Sequence, residues 1–157
     1  MSVSEQSLSA EEQYVVFRLA AEHYGLPIRS VREIIVLGTV TRLPHMESYM
    51  EGIVNLRGRI VPVINLRRKL GLSDDGTGAA GRTIVTELCG LEVGLVVDDV
   101  VGVVRIDSGS VQAAPQMIAA DRRVLTGIAH IKDRLVILLD PEVILEQQEL
   151  EAVASGL

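Results

Sequence analysis

The sequence predicts a mainly β protein: two small five-stranded β-barrels packed together, with short helices and a helix near the C-terminus. Three observations carry this reading. Short β-branched, apolar runs recur along the chain, punctuated by turn pairs such as Arg57-Gly58 and Lys132-Asp133. The order of strands and turns occurs twice. Several runs, IVPVI (60–64), VVGVV (100–104) and LVILL (135–139), do not alternate between apolar and polar residues. Such runs need cover on both faces, or keep one face for a partner.

The elements follow in order. Residues 1–12 are polar and acidic and read as a flexible lead-in to a single domain over 13–153, with 154–157 as a tail. Residues 14–19 are a strand, and 25–28 are a second strand after a turn at 20–23. Residues 31–36 are β-branched but interrupted by Arg32-Glu33, which fits a strand or one helical turn. Pro44 breaks the chain, and 45–50 suit a short helix. Strands at 53–56 and 59–64 flank Arg57-Gly58, and 66–70 form a short helix closed by Gly71. SDDGTGAAG (73–81) is a Gly-rich linker. Strands resume at 83–88, 92–97 and 100–106; 107–109 is a break and Pro115 marks a loop. A hairpin of 128–131 and 135–139 follows, and Asp140 caps a helix that starts at Pro141 and runs to 153.

An internal repeat organises these elements. Residues 52–70 lie over 127–145 at an offset of 75, with Gly52/Gly127, Ile53/Ile128, Arg59/Arg134, Val61/Val136 and Leu70/Leu145 identical. Residues 14–36 lie over 83–105 at an offset of 69, matching Val16/Val85, Leu19/Leu88, Gly25/Gly94, Leu26/Leu95 and Val31/Val100. A unit of about five short strands leaves open edges unless it closes, so each half is expected to form its own small barrel.

Composition narrows the function. Of 157 residues, 48% are hydrophobic and 23% charged, which is the composition of a folded domain. Lys+Arg is 15 against 21 Asp+Glu, and aromatics are 3%. A nucleic-acid barrel is expected to show a basic face and stacking rings, so that rival class is disfavoured. Cys89 has no second cysteine to pair with or to build a zinc cluster, and is expected as a buried strand residue. The N-terminus lacks a signal-peptide pattern, and the longest aliphatic run (135–139) is far short of a span of about 20 residues. A cytoplasmic protein without membrane insertion is the expectation.

Motifs for chemistry are sparse. GTGAAG (76–81) fits a dinucleotide pattern but follows acidic residues and precedes a strand, the reverse of the required strand–turn–helix order. His23, His45 and His130 are dispersed, so no metal or other cofactor is expected. Asp98 and Asp99 are adjacent, which on a strand sends them to opposite faces, and a bend fits them better than a paired-carboxylate site. A small hydrolase using either with a His is a second rival class. No catalytic residues are assigned. Arg57, at a hairpin tip between apolar strands, is the residue placed to anchor a partner.

The run NLRGRIVPVINLR (55–67) resembles the CheW family of bacterial chemotaxis coupling proteins. Its signature is a Gly-x-x-Asn-Leu-Arg-Gly hairpin, an apolar strand containing Pro, then Asp-Leu-Arg; here Asn65 stands at the Asp position. YVVFRL (14–19), YGLPI (24–28), VREI (31–34), VGLVVD (93–98) and LTG (125–127) extend the resemblance over nearly the whole chain. The resemblance implies two SH3-like barrels around a shared core and no catalytic activity. It implies an adaptor between the regulatory domain of a chemotaxis histidine kinase and the cytoplasmic tip of a chemoreceptor, associated with membrane receptor arrays. The pathway served, flagellar, twitching or another output, stays open. Carried over residue by residue, it implies Val31, Glu33, Arg57, Ile84 and Val103 for the receptor, and Gln116 and Met117, in the loop 114–117, for the kinase.

Overall fold

The computed structural model describes residues 11–72, 81–113 and 124–145, together with 149, 151 and 153. The hairpin β1 (Glu11–Leu19) and β2 (Glu22–Pro27) is followed by a 3-10 turn, Ile28–Ser30, and by β3 (Val31–Val36). Next come β4 (Met50–Leu56), β5 (Arg59–Asn65) and the helix α1 (Leu66–Lys69). The second repeat supplies β6 (Arg82–Leu88), β7 (Leu91–Val97), β8 (Asp99–Asp107), β9 (Val111–Gln112), β10 (Leu125–Ile131) and β11 (Arg134–Leu139).

Two sheets form, ordered β8-β1-β2-β11-β10-β9 and β3-β6-β7-β5-β4. The repeats do not each close into a barrel, which corrects the expectation from the chain halves. β1 and β2 of the first repeat are completed by β8, β11 and β10 of the second, while β6 and β7 are completed by β3, β5 and β4. Strands are therefore exchanged between repeats. The crossings occur at the Ile28–Ser30 turn and at the bend of Asp98. Pro27, with no N–H to donate, ends β2 at the first crossing.

The register carries the repeat to single residues. Val63 pairs with Gly94 across the parallel β5/β7 junction, and its equivalent Leu138 pairs with Gly25 across β11/β2. Bulges recur at matching positions, between Val31/Glu33 and opposite Val16/Phe17. The left-handed turn residues match as well: Ala20 with Cys89 (φ 57° and 51°) and Arg57 with Lys132 (φ 52° and 55°).

Three apolar clusters explain the non-alternating runs. Val15, Phe17, Leu19 and Leu26 of the first sheet pack with Ile64, Ile84, Val93 and Leu95 of the second in a core shared between the barrels. The opposite faces of the same strands fill the barrels. Val16, Ala129, Val136 and Leu138 lie in the first, and Val54, Val61 and Val63 in the second. IVPVI is thus covered on both sides from Val61 onward, whereas VVGVV has one face open at Val101 and Val103.

Local expectations fare unevenly. Asn65 caps α1 by accepting from the Arg68 N–H, so the Asn-for-Asp change keeps the cap. Asp140 accepts from the Glu142 N–H, but the turn Pro141–Val143 is 3-10 and gives way to a turn and bend at Ile144 and Leu145. One uninterrupted helix from Pro141 is therefore corrected; Glu149, Glu151 and Val153 are helical. The helix expected at 45–50 is replaced by turns, with His45 at φ 59°. Glu11 and Glu12, expected in the flexible lead-in, belong to β1 opposite Asp107 and Ile106, and residues 1–10 lie outside the described residues. Cys89 is exposed in the β6–β7 turn, not buried in a strand. Of the expected linker, 73–80 lie outside the described residues, and Gly81 is buried, where an added Cβ would stand 2.4 Å from the Val97 carbonyl.

Candidate partner-binding site

β3 is an edge strand: β6 is its one neighbour in the sheet. Its outer residues Ile34 and Val36 are exposed, and Val31 packs partly against the shared core. Glu33 follows the bulge and is about a quarter exposed (27%). The β4–β5 turn at the other side of the same sheet brings Arg57 to it, and the two side chains form an ion pair. The pair spans the gap between edge strand β3 and the β4–β5 turn at the other side of the sheet. Arg59 extends the ladder, 3.9 Å from Glu33 and 2.5 Å from Glu92 of β7. The Gly58 N–H donates to Asn55 Oδ1 at 2.8 Å, fixing the turn that presents Arg57. Arg57 is 64% exposed, so the guanidinium edge away from Glu33 faces solvent.

Val31, Glu33 and Arg57 are thus together on one barrel. Ile84 is not at the surface. It pairs with Ile34, is fully buried in the shared core and offers no atom to a partner. Val103 is half exposed on β8, the edge of the other sheet, and is the repeat equivalent of Ile34. Gln116 and Met117, with the rest of the loop 114–117, lie outside the described residues. Sequence reasoning missed Arg59 and Glu92 as members of the ladder. The signal was present in Arg59/Arg134, one of the identical repeat pairs.

The first barrel carries a different arrangement at the equivalent end. Gly102 stands where Glu33 does, Lys132 where Arg57 does, and His23 where Glu92 does. Arg134 Nη1 lies 2.9 Å from His23 Nε2. A guanidinium only donates, so His23 accepts and is neutral. Burial, then the charges of Arg134 and Arg18, lower its pKa below the usual value.

Asp98 is engaged by Arg67 and by the Ala20 N–H, and Asp99 lies 3.6 Å from Arg18. Among the described residues no group of three His, Cys, Asp or Glu side chains could hold a metal ion, and no helix is long and apolar enough to cross a membrane.

Comparison with known proteins agrees with this architecture. Residues 13–149 match the family described as CheW-like domain. A probable chemotaxis protein CheW from Rhizobium etli is 31% identical over 154 residues, covering 97% of this chain and 99% of the relative. The chemotaxis protein CheW of Klebsiella aerogenes is 32% identical over 143 residues, 90% and 86% of the two chains. The crystal structure of the scaffolding protein TtCheW from Thermoanaerobacter tengcongensis superposes with a TM-score of 0.80 at 36% identity, covering 87% of this chain and 93% of that one. With two exchanged barrels, a shared core and matches spanning most of its length, the chain belongs to the CheW-like family of chemotaxis proteins.

Proposed function

We infer that this chain performs its role as a chemotaxis adaptor, coupling receptors to the kinase, through rigid surfaces and without catalysing a reaction. In this reading the cytoplasmic tip of a chemoreceptor lies along edge strand β3, beside Val31 and the Glu33–Arg57 pair. A helix laid there would bury Ile34 and Val36 in the helix-in-groove manner. Val103 joins the contact if the groove continues across the boundary between the barrels, and Ile84 supports it from beneath. The regulatory domain of a chemotaxis histidine kinase takes a separate surface that includes Gln116 and Met117. The chain works in the cytoplasm at membrane receptor arrays. Signalling is then a shift in how fixed contacts bias the kinase's states.

The observation that carries the reading is the exposed Arg57 guanidinium, held by Glu33 at an open strand edge. A charge-assisted hydrogen bond to a partner contributes about 1.5–3 kcal/mol, so Arg57→Ala should weaken receptor binding about tenfold or more. Kinase affinity and the melting temperature, measured on the same preparation, should stay close to wild type. A joint fall of all three would show that Arg57 is structural and would remove the assignment.

A further inference from the structure

The open end of the first barrel holds a cavity of about 460 Å³. That is within the range of small-molecule sites, roughly 300–1,000 Å³. Its floor is made by the branched aliphatic side chains of Val16, Val101, Val104, Ile131 and Val136. Lys132, Asp133 and Arg134 stand at the rim.

The repeat says what chemistry this rim is built for. At the equivalent end of the second barrel, the Glu33 carboxylate lies against Arg57 and Arg59. In the first barrel the two cations persist as Lys132 and Arg134, while Glu33 is replaced by Gly102. Among the described residues Lys132 has no ion pair, and Arg134 meets the neutral His23 ring instead of a carboxylate. Gly102 leaves open space, since an added Cβ there would meet nothing within 4 Å. The site keeps the basic half of the pair above an apolar floor and has no carboxylate at the position of Glu33, Asp133 standing instead in the turn at the rim.

We propose that this cavity binds a small amphipathic carboxylate, its aliphatic body on the valine floor and its carboxylate against Lys132 and Arg134. The site lies apart from the Glu33–Arg57 edge, so the adaptor reading stands or falls independently of it. The test is titration of the full chain with octanoate, followed by calorimetry and by amide shifts of β8 and the β10–β11 turn. Saturable binding confined to those residues is expected, with 1-octanol at least about tenfold weaker. Lys132→Gln should weaken octanoate about tenfold, and Asp133→Asn should tighten it, because the one rim carboxylate repels the ligand. Both are exposed turn substitutions, and an unchanged melting curve confirms that each variant is folded. No saturation at millimolar octanoate, equal affinity for 1-octanol, or a Lys132→Gln variant that binds like wild type would each overturn the proposal.

Discussion

Arg67 and Asp98 join across the point where the chain passes from one sheet to the other: Nη2 lies 3.1 Å and Nε 3.2 Å from the same Asp98 oxygen. Arg67 is only 6% exposed, on α1 after β5. The same oxygen accepts the Ala20 N–H at 2.7 Å from the β1–β2 turn. One carboxylate therefore fastens a helix, a crossing and a hairpin that belong to different strands' ends. Removing one partner of a buried pair leaves a charge uncompensated, which typically costs about 3–5 kcal/mol. Asp98→Ala should destabilise by roughly 3 kcal/mol in urea denaturation.

The Glu33–Arg57 pair should behave differently, because Arg57 is largely exposed. Solvent screens such pairs to about 0.2–1 kcal/mol. A double-mutant cycle with Glu33→Gln and Arg57→Ala should give a coupling in that range, falling as salt is raised. Closure of the second barrel thus rests mainly on its apolar interior.

Gly52 has φ +145°, and an added Cβ would stand 2.3 Å from the Thr41 carbonyl oxygen, which accepts the Ile53 N–H. Gly58 also has positive φ (+86°) but open space around it. Gly52→Ala combines backbone strain with a clash against backbone and should cost about 3 kcal/mol or more. Gly58→Ala carries the strain alone, about 1–2 kcal/mol. Equal losses in thermal melts of the two variants would contradict this.

The Tyr49 ring is buried, and its hydroxyl has no hydrogen-bond partner among the described residues. Burial first, then Glu149 and Glu47, push its pKa up to about 12. The unfolded phenol titrates near 10. A group whose folded pKa is raised stabilises fully below the unfolded value and loses that contribution as pH rises through the folded one. Tyr49→Phe should match or exceed wild-type stability at neutral pH. Between about pH 10 and 12 the variant should decline less steeply than wild type.

Cys89 is exposed, yet its thiol sits 3.2 Å from Glu142 Oε1, and that hydrogen bond, with smaller effects from burial and the Glu142 charge, raises its pKa. The thiolate is the reactive form. Alkylation of Cys89 should be slow near neutral pH for so accessible a thiol, and Glu142→Gln should speed it.

Local features were legible because local chemistry decides them. Arg57-Gly58 and Lys132-Asp133 read as turns in the sequence, and both are turns, with Arg57 and Lys132 left-handed. The repeat survived down to bulges. What could not be read was which hairpin sits beside which strand. The junctions β5/β7 and β2/β11 are parallel pairings between distant segments, and Val63 or Leu138 would suit either barrel equally. Ile84 and Val103 illustrate the same limit at the candidate site. Both are aliphatic residues in strands, and only the packing of the two sheets buries one fully and leaves the other half exposed. Cys89 was misplaced because a small apolar residue beside a strand gives no sign of the left-handed turn it occupies.

Strand exchange has a consequence for how the molecule is made. While it emerges from a ribosome, the first 72 residues hold two strands of one barrel and three of the other, and complete neither. β6 and β7 finish the second barrel, but the first waits for β8, β10 and β11. Folding is therefore governed by slow, distant pairings. A chain severed between Leu72 and Gly81 would give two halves, each unable to form a barrel by itself, that regain the native assembly by combining with each other.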